Sequence, residues 1–355
     1  MADKDSTAPK RKRPLGLKAR SAKKANTQVT EQGAQQVNDF DDENTATVML
    51  RGEDADEIDE LEGIFDSALE ALSEDQAEKA ITLLRGTIHE SDRLLRLNDT
   101  EKESKMEPRF YFIYGSALYG LAELSPEIDD RDMYLELAQH RLEQAEEIIG
   151  EEPFAWRVYL GLAKVHMEIA AEADSESSAC SGIQRALEYL KKAIDALKAT
   201  QAEEAVNEET LAAIDLALSL ADSQRLPEQA AAKLIGWGES NARLLAENAS
   251  SDAKYLLARA LWLRASSLID ESDEISDREE FTKLLSEATE LLDGIESCDG
   301  LLLLGEIEIN LGNVQEDELD MESKYKQAVA TFRRAQEKGE VPEQFIQFID
   351  DFENE

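Results

Sequence analysis

Proline, glycine and cysteine are all scarce in this chain, and so are aromatic residues. Its 355 residues include 7 prolines, 17 glycines and 2 cysteines, and 6% of them are aromatic. Long alternating runs of β-branched residues are absent, which argues against a β-sheet. The two cysteines, Cys180 and Cys298, lie far apart in sequence, so we expect reduced thiols in an intracellular compartment. No apolar run approaches the length that crosses a bilayer and no signal peptide opens the chain, so we expect no membrane association.

Positive charge is the minority sign. The 78 Asp and Glu residues outnumber the 38 Lys and Arg residues, which gives a formal net charge of −40. Binding of phosphate groups requires a basic surface, so we expect the body of the protein not to bind nucleic acid directly. The hydrophobic fraction of 42% is sufficient for a core, in one large domain or two modest ones.

Residue sets that carry chemistry are missing as well. The three histidines, His89, His140 and His166, each stand alone on an expected helix, without a second ligand at metal-binding spacing. No glycine-rich phosphate loop follows a strand, and no Ser or Cys nucleophile motif is present. Acidic pairs are frequent, and we interpret them as solvated helix faces. We therefore predict a protein that is not an enzyme and that holds no metal or cofactor.

The clearest pattern is a helical hairpin in residues 301–340. In its first helix, apolar residues recur three and four positions apart around Gly305. The second helix follows an acidic loop and places Phe332 between the small residues Ala328 and Ala335. A bulky residue between two alanines, with the spacing Ala-x3-bulky-x2-Ala, is typical of the second helix of a tetratricopeptide hairpin.

The same spacing recurs upstream. Full or weaker copies, each with a small residue before a bulky one, are Ala80/Leu84/Thr87, Ala138/Leu142/Ala145, Ala186/Leu190/Ala193 and Ala288/Leu292/Ile295. Three of the preceding helices also carry a small residue among apolar ones, at Gly115, Gly161 and Ala258. We predict an all-α fold, in which helical hairpins stack as an irregular TPR-like or HEAT-like array, and a monomer. Generic helix packing is the alternative explanation of the spacing.

Composition divides the chain into three segments. Residues 1–54 are polar, with a basic and then an acidic stretch, and have the composition of a disordered tail. Helical periodicity begins near Asp56, and Gly150 with a following proline interrupts it. We therefore predict a small N-terminal helical domain at residues 55–152 and a larger C-terminal helical-repeat domain at residues 153–355.

Three local features of the larger domain allow sharper predictions. A Ser-rich acidic stretch at 174–181 is expected to be a loop between its first two helices. Trp237 lies between two glycines, so we expect either a helix break or a tight packing point there. Pro342 is expected to start a terminal helix over residues 343–352, with a wide apolar face that covers the last hairpin.

The N-terminal tail is basic, unlike the rest of the chain. Residues 1–26 contain nine basic and two acidic residues, and the basic clusters comprise Lys10, Arg11, Lys12, Arg13, Lys18, Arg20, Lys23 and Lys24. Such clusters suit the acidic groove of an importin, which takes extended Lys and Arg side chains one by one. We predict a nuclear-localisation segment and an importin as partner. An arm for nucleic acid or acidic membrane is the alternative, which the acidic body makes less favourable.

A smaller basic patch is expected on the last hairpin. Lys326, Arg333 and Arg334 are possible contacts for a partner protein, and Lys324 and Lys338 could extend them into a stripe. The alternative, which we favour, is a solvated helix face whose cations pair with glutamates.

Three stretches together resemble a known family. They are residues 12–17 (Lys-Arg-Pro-Leu-Gly-Leu), residues 88–97 (Ile-His-Glu-Ser-Asp-Arg-Leu-Leu-Arg-Leu) and the end of the chain from 325 to 352. The sequence resembles the enhancer of translation termination family, which includes the nuclear negative regulator of a prolyl-hydroxylase-type dioxygenase. The resemblance covers most of the chain, although the middle third matches only in helical pattern.

The resemblance implies a fold and a function. Members of the family are all-α, with a small N-terminal and a larger C-terminal repeat domain, and they are not catalysts. They bind a 2-oxoglutarate and iron dioxygenase, act as its nuclear import adaptor and restrain its activity at low oxygen. The resemblance therefore implies a mainly nuclear protein, with some in the cytoplasm, that acts in the hypoxia response, and other members affect translation termination. A ribosome- or RNA-associated termination factor is the alternative function.

Overall fold

The computed structural model describes residues 56–101, 106–124, 128–247, 250–270 and 274–354. These residues form helices α1 to α13, at Glu57–Ser73, Ala77–Glu101, Pro108–Leu124, Ile128–Ile148, Ala155–Ala171, Glu176–Thr200, Glu203–Asp222, Glu228–Ala246, Ser251–Ser266, Arg278–Leu292, Cys298–Asn313, Glu318–Lys338 and Glu343–Glu353. Within the described ranges, the β structure is limited to an isolated bridge between Ile269 and Ile275. The predicted all-α fold is therefore confirmed.

Side-chain caps fix where several helices begin. The Asp56 carboxylate accepts hydrogen bonds from the backbone N–H groups of Ile58 and Asp59, so α1 begins at the point where the sequence predicts order. The Ser175 hydroxyl accepts a hydrogen bond from the N–H of Ser178 and caps α6. The prediction of a loop over 174–181 is therefore wrong, because α6 already begins at Glu176.

The chain forms two compact units, one ending at Leu234 and the other beginning at Ile235, inside α8. In the first unit, α1 with α2, α3 with α4 and α5 with α6 form hairpins. The first helices of successive hairpins also contact each other, α1 with α3 and α3 with α5. This arrangement is typical of a helical-repeat array, in which each repeat packs on its neighbours.

Leu142 on α4 shows how the hairpins of the first unit fit together. A Cβ added to Gly115 of α3 would lie 2.7 Å from the Leu142 Cγ, and one added to Gly161 of α5 would lie 3.3 Å from its Cδ1. Leu84 of α2 meets Gly120 of α3 in the same way, 3.1 Å from where a Cβ would stand. The bulky residue of the predicted spacing thus packs against glycines of neighbouring helices. At Gly115 a side chain would require Leu142 to shift, and at Gly120 and Gly161 it would make a tight contact.

One core runs through residues on both sides of the domain boundary predicted between residues 152 and 153. It includes buried side chains from Leu61 to Val165. The rings of Phe112 and Phe154 lie 6.3 Å apart across that boundary. The predicted boundary therefore falls inside the first compact unit.

The second unit contains the hairpins α9–α10 and α11–α12 and the terminal helix α13. Its last core consists of Leu301, Ala328, Phe332, Ala335, Val341, Phe345 and Ile349. The Phe332 ring is stacked on that of Phe345, with centroids 4.6 Å apart. The terminal helix thus covers the last hairpin, as the sequence predicts.

Of the two alternatives expected at Trp237, a helix break or a tight packing point, the helix break does not occur. Helix α8 runs from Glu228 to Ala246 through both glycines that flank Trp237. Ile235, Gly238 and Ala242 are buried and lie on one face of the helix. Burial of this face outweighs the helix-propensity cost of about 1 kcal/mol for each glycine.

Candidate partner-binding surface

The cations proposed as partner contacts lie on α12, next to a tightly packed interior. Phe332, Ala328 and Ala335 are fully buried, and a Cβ added to Gly305 of α11 would lie 2.4 Å from the Phe332 Cε1. Because adjacent helical residues differ by about 100°, Arg333 and Arg334 point away from this interior. Both are exposed, as the sequence predicts.

All three predicted contact residues form ion pairs with glutamates. Lys326 Nζ lies 3.0 Å from Glu322, Arg333 Nη2 lies 2.8 Å from Glu353, and Arg334 Nη2 lies 2.5 Å from Glu296. This arrangement agrees with the favoured interpretation of a solvated face in glutamate pairs. A role for these cations in binding a partner stays a prediction.

The three cations do not share one face of α12. Lys326 and Arg333 are seven residues apart, almost two full turns, so they lie in one row on the helix. Arg333 contacts Glu353 at the end of α13, whereas Arg334 contacts Glu296, just before α11. A partner lying along α12 would therefore contact Lys326 and Arg333 together and Arg334 only from a separate side.

The sequence-based interpretation of acidic pairs as solvated helix faces is wrong for two glutamates of α11. Glu306 and Glu308 are only 8% and 9% exposed. The Trp262 indole N–H donates to Glu306 at 3.1 Å, and the Thr331 hydroxyl donates to Glu308 at 2.8 Å. Burial raises the pKa of Glu308 above its ordinary value, although the Thr331 hydrogen bond opposes the shift. These carboxyl groups belong to the interior and not to a binding surface.

The polar residues of the 88–97 stretch join α1 and α3 to α2, and α4 contacts the same cluster through Tyr114 of α3. The Tyr114 hydroxyl donates to Asp92 at 2.6 Å, and the Arg141 guanidinium lies 4.7 Å from the Tyr114 ring. Burial, together with the charge and hydrogen bond of Asp92, raises the pKa of Tyr114 to about 12. Arg93 pairs with Glu57 of α1 at 3.4 Å. The stretch therefore helps to hold α1, α2 and α3 together and has a structural role.

The leucines of the same stretch lie on different sides of α2. Leu94 is 3% exposed, Leu95 is partly buried and Leu97 is 39% exposed. Leu94 therefore belongs to the core, whereas Leu97 faces solvent.

The structure contains a network of four charged residues that the sequence did not predict. Arg131 of α4 and Arg225, between α7 and α8, each pair with both Glu168 and Glu172 of α5, with Arg225 at 2.7 and 2.8 Å. Burial alone would raise the pKa of Glu172, but hydrogen bonds and charges of the two arginines outweigh it and hold this pKa below its usual value. The i, i+4 spacing of the glutamates predicts a shared face. No local signal identifies their arginine partners.

A second cluster without a sequence signal surrounds Lys192. Its ammonium lies 2.7 Å from Glu146 and 4.8 Å from the Tyr189 ring centroid, and the Tyr189 hydroxyl donates to Glu146 at 2.8 Å. The other partner of Tyr189 is His166, whose ring is stacked on it at 5.5 Å. Burial, and secondarily the charge of Arg185, lowers the pKa of His166. His166 is thus a core histidine that packs on an aromatic ring.

The described residues contain neither a metal-binding cluster nor a membrane-spanning helix. No group of three or more His, Cys, Asp or Glu side chains stands close enough to hold a metal ion. None of the described helices is long and apolar enough to span a membrane. The predicted nuclear-localisation residues, Lys10 to Arg13, Lys18, Arg20, Lys23 and Lys24, lie outside the described residues.

These features define a helical-repeat protein of stacked hairpins, in which clusters of polar side chains join neighbouring helices. Residues 10–170 match the family described as "Nuclear pore complex subunit Nro1". The chain is also 27% identical over 218 residues to "Negative regulator of ofd1" of Schizosaccharomyces pombe, and 34% identical over 132 residues to "Enhancer of translation termination 1" of Kluyveromyces lactis. The resemblance indicated by the sequence motifs is thereby confirmed.

The extent of these similarities is limited. The first alignment covers 53% of this chain and 54% of the relative, and the second covers 34% of this chain and 28% of the relative. A solved structure described as "The hypoxic regulator of sterol synthesis Nro1 is a nuclear import adaptor" is 21% identical, with a TM-score of 0.55, over 83% of this chain and 93% of that one. A second structure of the Schizosaccharomyces pombe protein has the same identity and TM-score, over 87% of this chain and 100% of that one. At this identity the structures show a shared fold.

Proposed function

We propose that this protein is a non-catalytic nuclear adaptor and regulator. It binds a 2-oxoglutarate and iron dioxygenase of the prolyl-hydroxylase type, supports its nuclear import and inhibits it at low oxygen. The observation that carries the proposal is the family match over residues 10–170, which spans both the basic segment and the first hairpins. An import adaptor needs these two parts together, one for an importin and one for its cargo.

The chemistry of the described residues supports a binding role. Several of their buried or partly buried polar groups pair with one another, as in the Tyr114–Asp92 and Thr331–Glu308 hydrogen bonds, and so stabilise the helical array. Oxygen sensing on this proposal lies in the iron centre of the partner. A stacked helical array then supplies an extended protein-binding surface.

The first experiment identifies the cargo. The tagged full chain is recovered from its own cells, and co-purifying proteins are identified by mass spectrometry. A stoichiometric dioxygenase that rebinds the purified chain in a defined two-component assay supports the proposal. Recovery without such an enzyme contradicts it.

The second experiment concerns localisation. Replacing Lys10, Arg11, Lys12 and Arg13 with alanine should move the chain from the nucleus to the cytoplasm and leave its melting temperature unchanged. The matched control replaces only Arg11 and Arg13 with lysine, which keeps all four positive charges and should keep nuclear accumulation. Nuclear accumulation of the alanine variant at the control level contradicts the assignment.

The third experiment tests whether α12 contacts the dioxygenase. Replacing Lys326 and Arg333 with glutamate reverses two charges of one row on the helix, and replacing Arg334 alone reverses the charge on its separate side. We propose that the first variant weakens dioxygenase binding. The control is Lys283→Glu on α10, an exposed cation 3.8 Å from Glu280, which should bind normally. Unchanged binding of the Lys326 and Arg333 variant removes this row from the proposed surface.

A second function is supported by the Kluyveromyces lactis relative, described as "Enhancer of translation termination 1". On this alternative the protein is a ribosome- or RNA-associated factor. Tight RNA binding that falls steeply with salt would favour it, because such a slope counts neutralised phosphates. Weak RNA binding at 150 mM salt (roughly a physiological ionic strength) would favour the adaptor function instead.

A further inference from the structure

An exposed apolar pair lies on α4. Met133 is 46% exposed and Leu137 is 39% exposed, and they stand one helical turn apart. The other large hydrophobic side chains exposed in the described ranges are Leu69, Leu97, Leu244, Leu319 and Ile346. Each of those is separated in sequence from the next by far more than one turn, so α4 alone presents two on one face.

Acidic side chains surround this pair. Asp130, Asp132 and Glu136 are exposed, and no described residue forms a hydrogen bond or ion pair with their carboxylates. The cation on the same turn, Arg131, is bound to Glu168 and Glu172 and does not neutralise them. The α4 face, defined as Asp130, Asp132, Met133, Glu136 and Leu137, therefore suits a ligand that is cationic and carries two apolar side chains.

The chain itself contains a segment of that chemistry. Leu15 and Leu17 are preceded by four consecutive basic residues and followed by four more within residues 18–24. We infer that residues 10–24 of the same chain dock on the α4 face, with the two leucines on Met133 and Leu137 and the basic side chains on the three carboxylates.

Chain length permits this contact. Thirty-one residues separate Lys24 from Asp56, where α1 is capped. Fully extended, they reach about 100 Å. A compact unit of about 180 residues has a radius of gyration of only about 16 Å. Attachment to the same chain also gives the segment a high effective concentration at any surface within its reach.

Docking has a consequence for import, and this consequence rests on the proposed function. The basic side chains that contact α4 are the ones that an importin groove would take. The two contacts therefore exclude each other, and the apparent importin affinity falls in proportion to the docked fraction. Higher salt weakens both the contact of the segment with α4 and its contact with importin. Because the segment is then undocked, the effect of docking on importin affinity disappears.

Zero-length crosslinking of the full chain tests the contact directly. A carbodiimide joins lysine ammonium groups to carboxylates that form ion pairs with them, and mass spectrometry locates the joined residues. We expect tail lysines, including Lys12 and Lys18, to join Asp132 and Glu136 in preference to the other acidic helices. Crosslinks spread evenly over the acidic surface would overturn the proposal. Joining of mass-labelled to unlabelled chains in a mixture would also overturn it, because the occupant would then be a second copy.

Importin binding supplies the functional test. Replacing Asp130 and Asp132 with asparagine, Glu136 with glutamine, and Met133 and Leu137 with serine should raise importin affinity at low salt. A segment docked two-thirds of the time predicts an increase of about threefold. The difference should disappear at high salt.

A matched control separates the α4 face from bulk charge. Glu203, Glu204 and Glu208 of α7 are exposed, and their replacement with glutamine removes three acidic charges as well. An equal rise in importin affinity for this variant overturns the specific contact. If the wild-type chain does not bind importin at all, the proposed nuclear-localisation segment fails, while the crosslinking result still decides whether docking occurs.

Discussion

A methyl group added at Gly305 tests the packing that holds the last hairpin together. The new Cβ would lie 2.4 Å from Cε1, 2.6 Å from Cζ and 2.8 Å from Cδ1 of Phe332. The ring has little freedom to move away, because it is fully buried and is stacked on Phe345. Phe348 meets it edge-on at 6.2 Å. The substitution therefore forces either the ring or the helix backbone to shift.

Whether Gly305→Ala destabilises or stabilises the protein depends on the Phe332 ring. Overpacking a core costs about 1–3 kcal/mol, whereas alanine is favoured over glycine inside a helix by about 1 kcal/mol. At such a close approach we expect overpacking to dominate, so Gly305→Ala should destabilise the protein by about 1–2 kcal/mol. Phe332→Ala costs about 3–5 kcal/mol by itself. In that background the clash is absent, and Gly305→Ala should stabilise the protein by about 1 kcal/mol.

Denaturant unfolding of the wild-type chain, Gly305→Ala, Phe332→Ala and the double variant gives the coupling energy between the two positions. Amide hydrogen exchange of α11 and α12 then shows whether the measured transition is that of the C-terminal unit. The control is Gly236→Ala on α8, where no heavy atom lies within 4 Å of the added Cβ. It should stabilise both backgrounds by up to about 1 kcal/mol. An effect of Gly305→Ala with the same sign and size in both backgrounds would refute the packing of Phe332 on α11.

Three further predictions concern charge, pH and burial. Charge reversal of Arg333 and Arg334 should change the free energy of unfolding by less than about 1–2 kcal/mol in denaturant titrations, because each is an exposed ion pair. His166 has a lowered pKa, so the unfolded chain takes up this proton at a higher pH than the folded chain. Stability should therefore fall as pH drops below about 6.5, and His166→Gln should reduce that loss in melting curves at pH values from about 7.5 to 5.5. Leu94→Ala should cost about 2–5 kcal/mol, and the same change at the half-exposed Leu97 less than about 1 kcal/mol, as measured by equilibrium unfolding.

Local periodicity was sufficient to predict the hairpins. Ala138, Leu142 and Ala145, which form one copy of the predicted spacing, are fully buried because a three- and four-residue repeat places them on one helix face. The weak copy ending at Ile295 is less accurate, because α10 ends at Leu292 and Ile295 is only partly buried. The predicted loop at 174–181 failed because serines favour loops but also cap helices. Ser175 caps α6, and the following serines lie exposed in its first turns, where they cost little.

Contacts between distant residues could not be predicted in the same way. Arg225 lies 53 residues from Glu172 in sequence, and a chain with 78 acidic and 38 basic residues allows many pairings of similar quality. The burial of Glu308 depends on Thr331 of the next helix, which faces it only after the hairpin has formed. Such pairs are fixed by the packing of whole helices, which no single stretch of sequence specifies.

Nuclear accumulation of the proposed dioxygenase partner, measured in cells whose chain lacks the basic charges of residues 10–13, tests the proposed adaptor function most directly. The measurement compares the alanine variant of Lys10, Arg11, Lys12 and Arg13 with the wild-type chain at equal abundance, and verifies by co-purification that both still bind the enzyme. The adaptor function predicts that the dioxygenase leaves the nucleus together with the variant chain. A dioxygenase that stays nuclear while bound to a cytoplasmic, intact variant chain would contradict it.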